Sequence, residues 1–466
     1  MTEEKNGLAH GPANSEMAPQ EDGTKVPLTD EAGVKFSSNN PPNGDSKIDI
    51  KPNQVFSGLT KEELMKYADD PFWVRLRWFL FILFWGGWLA MLVMAIVIII
   101  QTPRCAPKES LDWVQETAIL QYDVRHAVDI DENGEETPED MVKLAANLGM
   151  KTVYLEDLIS TFNFENLNGI YNAGNITAAL KAAKDAGLHV VTDFVPSPVP
   201  DTNTWYQNTN MSDFFEPNSR KLDFSNQGLL DKLVDLFSTT WKDRGVLGFI
   251  ADNADETLAN ATAIITKGIQ DKDVDGHVVY GVKDVNHQLN TFSVEAYQDF
   301  LESGADDWSY FKFNPKQAES ELSSKDLAQL VTMSLFLVRG TPILHGLEKD
   351  YLKNQTAFIK SLSEFREKES VQIGDMTFLN TTSEDVMAFA RVKKGTPGCA
   401  VAVNFHQYNS TEIDFRSIAG VPEKGDIHLK LSGATMESGE LGRTDLSKVP
   451  LQPLEGVVVL FVPADL

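Results

Sequence analysis

The sequence predicts a single transmembrane helix plus an α/β ectodomain: a (β/α)8 barrel followed by a C-terminal antiparallel β-sandwich. Three observations carry this reading. Residues 78–100, WFLFILFWGGWLAMLVMAIVIII, hold no charge. From Thr117 to about residue 345, short apolar runs alternate with helical stretches that stop at glycine. From about residue 371, only short strands separated by turn residues remain.

Residues 1–77 come first. They are rich in Gly, Pro, Asn, Asp, Glu and Lys and poor in aromatics. Such a stretch buries too little apolar area to offset its ordering entropy, so a disordered tail is expected. The opening MTEEKNGLAHGPANSE has no apolar stretch, so residues 78–100 are expected to act as an uncleaved signal anchor. A helix of this length rises about 34 Å, enough for a hydrocarbon core of roughly 30 Å.

Lys66, Arg75 and Arg77 precede the span, and Arg104 and Lys108 follow it. This bias slightly favours a cytoplasmic N-terminus. Acceptor patterns for N-linked glycans strengthen that orientation. N-x-S/T occurs at Asn175, Asn210, Asn260, Asn354, Asn380 and Asn409, all after the span. The part beyond a neck at 101–112 is therefore expected to be lumenal or extracellular.

Within the span, Gly86, Gly87 and Ala90 remove side-chain bulk and suit close approach of another helix. Trp73 and Trp78 suit an interfacial belt, whereas Trp85 and Trp88 sit deeper and could pack on a partner.

Residues 1–77 hold 13 acidic and 9 basic residues, and the part after residue 100 holds 55 and 32. An acidic ectodomain argues against nucleic acid and heparin-like partners. The two cysteines, Cys105 and Cys399, cannot form a disulfide framework, so the large domain must stand on its own core. Cys105 lies just past the span and Cys399 in the apolar run GCAVAVNF. An intermolecular disulfide through Cys105, a Cys105–Cys399 bridge and a free thiol are all open.

The large domain reads as repeated strand–helix units over 113–370. AILQYDV is a strand. TPEDMVKLAANLGM is a helix, with Thr137 to cap it, Pro138 at its first position and Gly149 at its end. KTVYLED is the next strand, and ITAALKAAKDAGLHVVTDFVP gives a helix, a glycine stop and a third strand. GLLDKLVDLFSTTWKDRGVLGFIADNADE and DLAQLVTMSLFLVRGTPILHG repeat the scheme, which suits a parallel barrel with covering helices. Over 371–466, MTFLN, DVMAFARV, CAVAVNF, STEIDF, DIHLKL and GVVVLFVP read as sandwich strands.

The order of barrel, RGTPILHG and terminal sandwich resembles the α-amylase family of glycoside hydrolases, without the domain that many members insert after the third strand. That resemblance implies four catalytic motifs at strand ends. DFVPSP keeps Asp193, but Ser197 and Pro198 replace Asn and His. GFIAD keeps Asp252, the nucleophile position, but Ile250 replaces the Arg. In HVVYGVKD, Val282 or Lys283 stands where the acid Glu belongs, and Asn314-Pro315-Lys316 ends in Lys instead of Asp. Glycoside hydrolysis needs two carboxylates, so Asp193 and Asp252 are remnant positions and a non-catalytic domain is expected, with no cofactor and no metal.

The segment from Trp73 to Cys105 is similar to the heavy chains of heteromeric amino-acid transporters, the cell-surface antigen type in particular. This resemblance implies a plasma-membrane type II glycoprotein whose Cys105 bonds a multi-span light chain. The alternatives are a membrane-anchored α-glucosidase and an adhesion or receptor glycoprotein.

Overall fold

The computed structural model describes residues 61–68, 70–101, 111–123, 138–166, 173–251, 256–303, 308–346, 349–433 and 435–464. The chain divides into two compact units, Met1–Pro103 and Arg104–Leu466.

In the first unit, a short helix α1 (Lys61–Ala68) precedes α2 (Pro71–Gln101). Asp70 Oδ1 accepts the Phe72 N–H at 2.9 Å, and Pro71, with no N–H to satisfy, takes the first helical position. The helix therefore begins seven residues before the uncharged run and includes Arg75 and Arg77. Its 31 residues rise about 46 Å. Composition places 61–77 in the disordered tail; the structure makes 61–68 and 71–77 helical instead, because the Asp70–Pro71 start and the apolar PFWV extend the span backwards. Residues 1–60 lie outside the described residues. Among the described residues, α2 is the one helix long and apolar enough to cross a membrane.

The second unit opens with α3 (Trp113–Glu116). Then follow β1 (Ile119–Asp123), α4 (Pro138–Asn147), β2 (Thr152–Glu156), α5 (Ala173–Asp185) and β3 (His189–Asp193). Next come α6 (Gln227–Leu236), β4 (Val246–Ala251), α7 (Glu256–Gln270), β5 (His277–Tyr280) and β6 (Val282–Asp284). The barrel portion ends with α8 (Asn286–Leu289), α9 (Val294–Glu302), β7 (Tyr310–Phe313), α10 (Pro315–Glu321), α11 (Lys325–Leu337) and β8 (Thr341–His345). Helices α12 (Lys349–Asn354), α13 (Thr356–Arg366) and α14 (Glu369–Ile373) lead out of it.

These eight strands form one parallel sheet in the order β5-β4-β3-β2-β1-β8-β7-β6, the arrangement of a (β/α)8 barrel. β5 and β6 stand at its two ends, yet only Gly281 separates them in the chain. β5 pairs with β4 and β6 with β7, so the chain itself closes the ring. Gly281 has φ +79°, which lets one segment swing from one neighbour to the other. Inside the ring, Ile119, Tyr154, Val191, Ile250, Val279 and Tyr310 pack on one another.

Helix α11 is buried from Leu327 to Leu337. It lies against the C-terminal sheet: a side chain at Gly456 would sit 2.7 Å from Met333 Sδ, so that strand needs glycine to approach the helix. Arg366 and Arg391, both buried, donate to the carbonyls of Phe336 (3.0 Å) and Leu337 (3.3 Å) at the helix end. Cations suit that end of the dipole. Burial pulls Arg366 down to about 9, and the neighbouring Arg391 adds to that.

The C-terminal strands are β9 (Asp375–Phe378), β10 (Val386–Val392), β11 (Gly398–Asn404), β12 (Thr411–Ile413), β13 (Lys424–Ser432), β14 (Thr435–Asp445), β15 (Val449–Leu451) and β16 (Glu455–Phe461). Six of them form an antiparallel sheet, β14-β13-β16-β11-β10-β9, and β12 pairs with β15 in a second sheet. One face of the large sheet, with Phe389 and Val401, joins the barrel core. The other, with Ala388 and Val459, packs on Phe415 and Leu451. Burial on both faces explains why β10 and β11 are apolar at every position but Arg391 and Asn404. Cys399 lies in β11, buried and unpaired.

Candidate functional site

Strand alternation carries the inward face of each barrel strand to its C-terminal end. Two residues beyond the inner core positions Ile119, Tyr154, Val191, Tyr310 and Ile343 come Gln121, Glu156, Asp193, Lys312 and His345. These form a polar layer at the mouth of the barrel, where such folds carry their chemistry.

Asp193 ends β3 and is largely buried. Its carboxylate accepts hydrogen bonds from the Tyr154 hydroxyl and the Asp157 backbone N–H. Across the β3–β4 register its partner is Ile250, an apolar side chain only 3% exposed. Burial pushes Asp193 up to about 6; the two hydrogen bonds oppose this, and the carboxylates of Glu156 and Asp157 reinforce it. Glu156 itself is compensated: Gln121 Nε2 donates to it at 2.7 Å, and Lys312 Nζ lies 3.7 Å away. A cleft of about 460 Å³ opens beside Asp193, with Asp157, Glu216, Lys221, Phe194 and Phe224 among its walls.

The other motif positions take structural work. Ser197 Oγ accepts the Leu222 N–H at 3.0 Å, stapling the loop that follows β3. Val282 packs against the inner barrel cluster. Lys283 turns away from it: its Nζ donates to the Ser303 carbonyl and lies 5.7 Å from the Phe300 ring centre. Partial burial there lowers its pKa. Asn314 caps α10, its Oδ1 accepting the N–H groups of Lys316 and Gln317 at 3.1 Å each. Lys316 Nζ reaches Glu319 at 3.8 Å and lies over Tyr351. Asp252 and Cys105 lie outside the described residues.

At the opposite end of the barrel, Trp113 stacks on His189 with ring centres 4.4 Å apart and meets the edge of His277 at 5.7 Å. Its Nε1 donates to the Asp275 carbonyl at 3.0 Å. Burial lowers the His189 pKa, partly offset by Asp275 and Glu116.

Of the glycan acceptors, Asn210, Asn260, Asn354, Asn380 and Asn409 are exposed, and Asn175 lies in α5. On α2, a side chain at Gly86 or Gly87 would meet nothing within 4 Å. Trp78, Phe81, Trp85 and Trp88 form an aromatic ladder with ring centres 5.8–6.1 Å apart. By helical periodicity it runs on the side away from Gly86 and Ala90.

Sequence reasoning missed Tyr154, Gln121, Glu156, Lys312 and Trp113. The available signal was the period of two: each barrel-mouth residue lies two positions beyond an apolar residue in a recognised strand or, for Lys312, in a strand that had not been identified.

Residues 45–120 match the family model described as the solute carrier family 3 member 2 N-terminus. The amino acid transporter heavy chain SLC3A2 of Mus musculus is 31% identical over 178 residues, covering 35% of this chain and 34% of that protein. The heavy chain SLC3A1 of Homo sapiens is 26% identical over 180 residues, 35% of this chain and 25% of that protein. The chain resembles the heavy chains of amino-acid transporters. The match spans about a third of the length of those relatives or less. Solved structures give the fold: an α-amylase from Geobacillus thermoleovorans complexed with acarbose has TM-score 0.57 at 14% identity, covering 76% of this chain and 100% of that one. The maltogenic α-amylase AmyB of Thermotoga neapolitana has TM-score 0.56 at 15% identity, with the same coverage. The barrel is therefore amylase-like, while the named relatives are transporter subunits.

Proposed function

We propose that this chain is the non-catalytic heavy subunit of a heteromeric amino-acid transporter. It is a single-pass type II glycoprotein that stabilises a multi-span light chain and delivers it to the plasma membrane, with Cys105 forming the interchain disulfide. The observation that carries the proposal is the juxtaposition of two features in one chain. A membrane-length helix lies in a segment matching heavy-chain N-termini. It precedes an amylase-like barrel whose motif positions hold Ile250, Val282, Lys283 and Lys316. Hydrolysis would require an acid and a nucleophile or base flanking one bond. Asp193 is engaged by Tyr154 and Asp157, and Glu156 by Gln121 and Lys312. Gly86, Gly87 and Ala90 supply a close-packing face for a light-chain helix, and the exposed acceptor asparagines carry glycans.

The test is expression of candidate light chains with and without this chain. A light chain that reaches the cell surface and takes up amino acids only in its presence supports the proposal. Equal surface delivery of every multi-span transporter tested, with none co-purifying, contradicts it.

A further inference from the structure

The β9–β10 loop carries the acceptor Asn380 on a fixed piece of backbone. On one side, the Leu379 N–H donates to the Ala388 carbonyl at 2.8 Å. On the other, Thr381 Oγ1 lies 2.9 Å from the carbonyl oxygens of both Ser383 and Val386. Asn380 and Thr382, the two residues that define the acceptor pattern, are exposed. Helix α9 packs beside β10. A cleft of about 330 Å³ lies between α9 and this loop, with Asn380 in its wall. Its volume is at the lower end of the range for small-molecule sites. Glu295, Gln298 and Asp299 line it from α9; at i, i+3 and i+4 they share one helix face. Glu384 lines it from the loop, and Leu379 and Val386 give it carbon surface.

This lining matches a sugar. Carboxylate oxygens accept hydrogen bonds, and sugar hydroxyls and an acetamido N–H donate them. Gln298 Nε2 donates to Glu302 Oε1 at 3.0 Å, which leaves its carbonyl oxygen as a further acceptor. A sugar tethered to Asn380 is already at the cleft, and its rigid attachment point reduces the freedom lost on seating.

We infer that this cleft seats the first N-acetylglucosamine of a glycan on Asn380. The ring lies over Leu379 and Val386, and its donors meet Glu295, Asp299 and Glu384. The inference rests on the reading of Asn380 as a glycan acceptor and adds where the sugar goes. The seated sugar ties α9, in the barrel portion, to the loop of the C-terminal sheet, so it should slow local opening of both.

The test is amide hydrogen exchange over 294–302 and 379–386. The full chain is expressed in cells that make only high-mannose glycans and purified in detergent. An endoglycosidase that cuts between the first two N-acetylglucosamines leaves one sugar on each acceptor. Trimmed and untrimmed chains should exchange alike. Thr382→Ala, which destroys the acceptor pattern and keeps Asn380, should speed exchange in both segments about tenfold. Thr382→Ser, which preserves the pattern, should match wild type. Asp299→Ala should speed exchange about threefold in the glycosylated chain and add nothing in the Thr382→Ala background. Should Thr382→Ala fail to fold by circular dichroism, Asn380→Gln takes its place. Mass spectrometry of the Asn380 peptide separates the two readings. A bare Asn380 contradicts the acceptor reading and the inference with it. An occupied Asn380 with equal exchange in wild type and Thr382→Ala overturns the inference alone. So does a chain trimmed to one sugar that exchanges as fast as Thr382→Ala, since the outer sugars would then provide the protection.

Discussion

Asp193→Asn isolates the energetics of the barrel mouth. The Asp193 carboxyl is raised from 3.8 to about 6. The folded state therefore holds this proton more tightly than the unfolded chain does. The group's stabilising contribution is complete below pH 3.8 and is lost as pH rises through about 6. At pH 7.5 the ionised carboxylate costs about 3 kcal/mol relative to a neutral group. Asparagine removes that charge and keeps one carbonyl oxygen. Two donors, the Tyr154 hydroxyl and the Asp157 N–H, must then share it, at a loss of about 1 kcal/mol. The variant should be about 2 kcal/mol more stable than wild type at pH 7.5 and equal or slightly less stable at pH 4. Urea denaturation of the full chain in detergent, followed by the fluorescence of Trp113, Trp205, Trp241 and Trp308, measures both. A variant less stable by the same amount at both pH values would refute the reasoning, since the carboxylate would then be fully compensated when charged.

Three further outcomes are expected. Replacing Gly86 and Gly87 by Leu should leave insertion and glycosylation intact yet lower co-purification of the light chain about tenfold, since helix contacts in membranes are worth about 1–2 kcal/mol; Leu89→Ile is the silent control. Enzymatic removal of N-linked glycans should increase gel mobility, and a tag on Met1 should be protected from protease in intact cells; an externally accessible tag reverses the orientation. The purified chain should show no glucosidase turnover above a blank, and turnover lost in Asp252→Asn would restore the enzyme reading.

The span and most barrel elements were legible because each rests on local chemistry. The uncharged run, the Pro138 start with its Gly149 stop, and the strands around Val153 and Val191 need no distant partner to be recognised. β14 was not, because TMESGELGRTD has no apolar alternation and, apart from Thr435 and Thr444, no strong strand formers; pairing along β13 makes it a strand. β15 was missed because three residues carry too little pattern. HVVYGVKD read as one strand, and only the barrel closure shows why Gly281 splits it between two neighbours. At the mouth, sequence motifs located Asp193 and Ile250 separately. Their register pairing, and the clamp by Tyr154 and Asp157, depend on strands far apart in sequence. The early start of α2 was written in Asp70 and Pro71, but the charges of Arg75 and Arg77 masked it.

The most direct test of the heavy-subunit account is non-reducing electrophoresis of the chain purified from its native membrane. The high-mass band is then cut out and identified by mass spectrometry, with Cys105→Ser and Cys399→Ser run alongside. The account predicts a reducible band that contains a multi-span amino-acid transporter, vanishes in Cys105→Ser and persists in Cys399→Ser, where the buried thiol plays no part. A band that survives Cys105→Ser, or one holding only further copies of this chain, contradicts it.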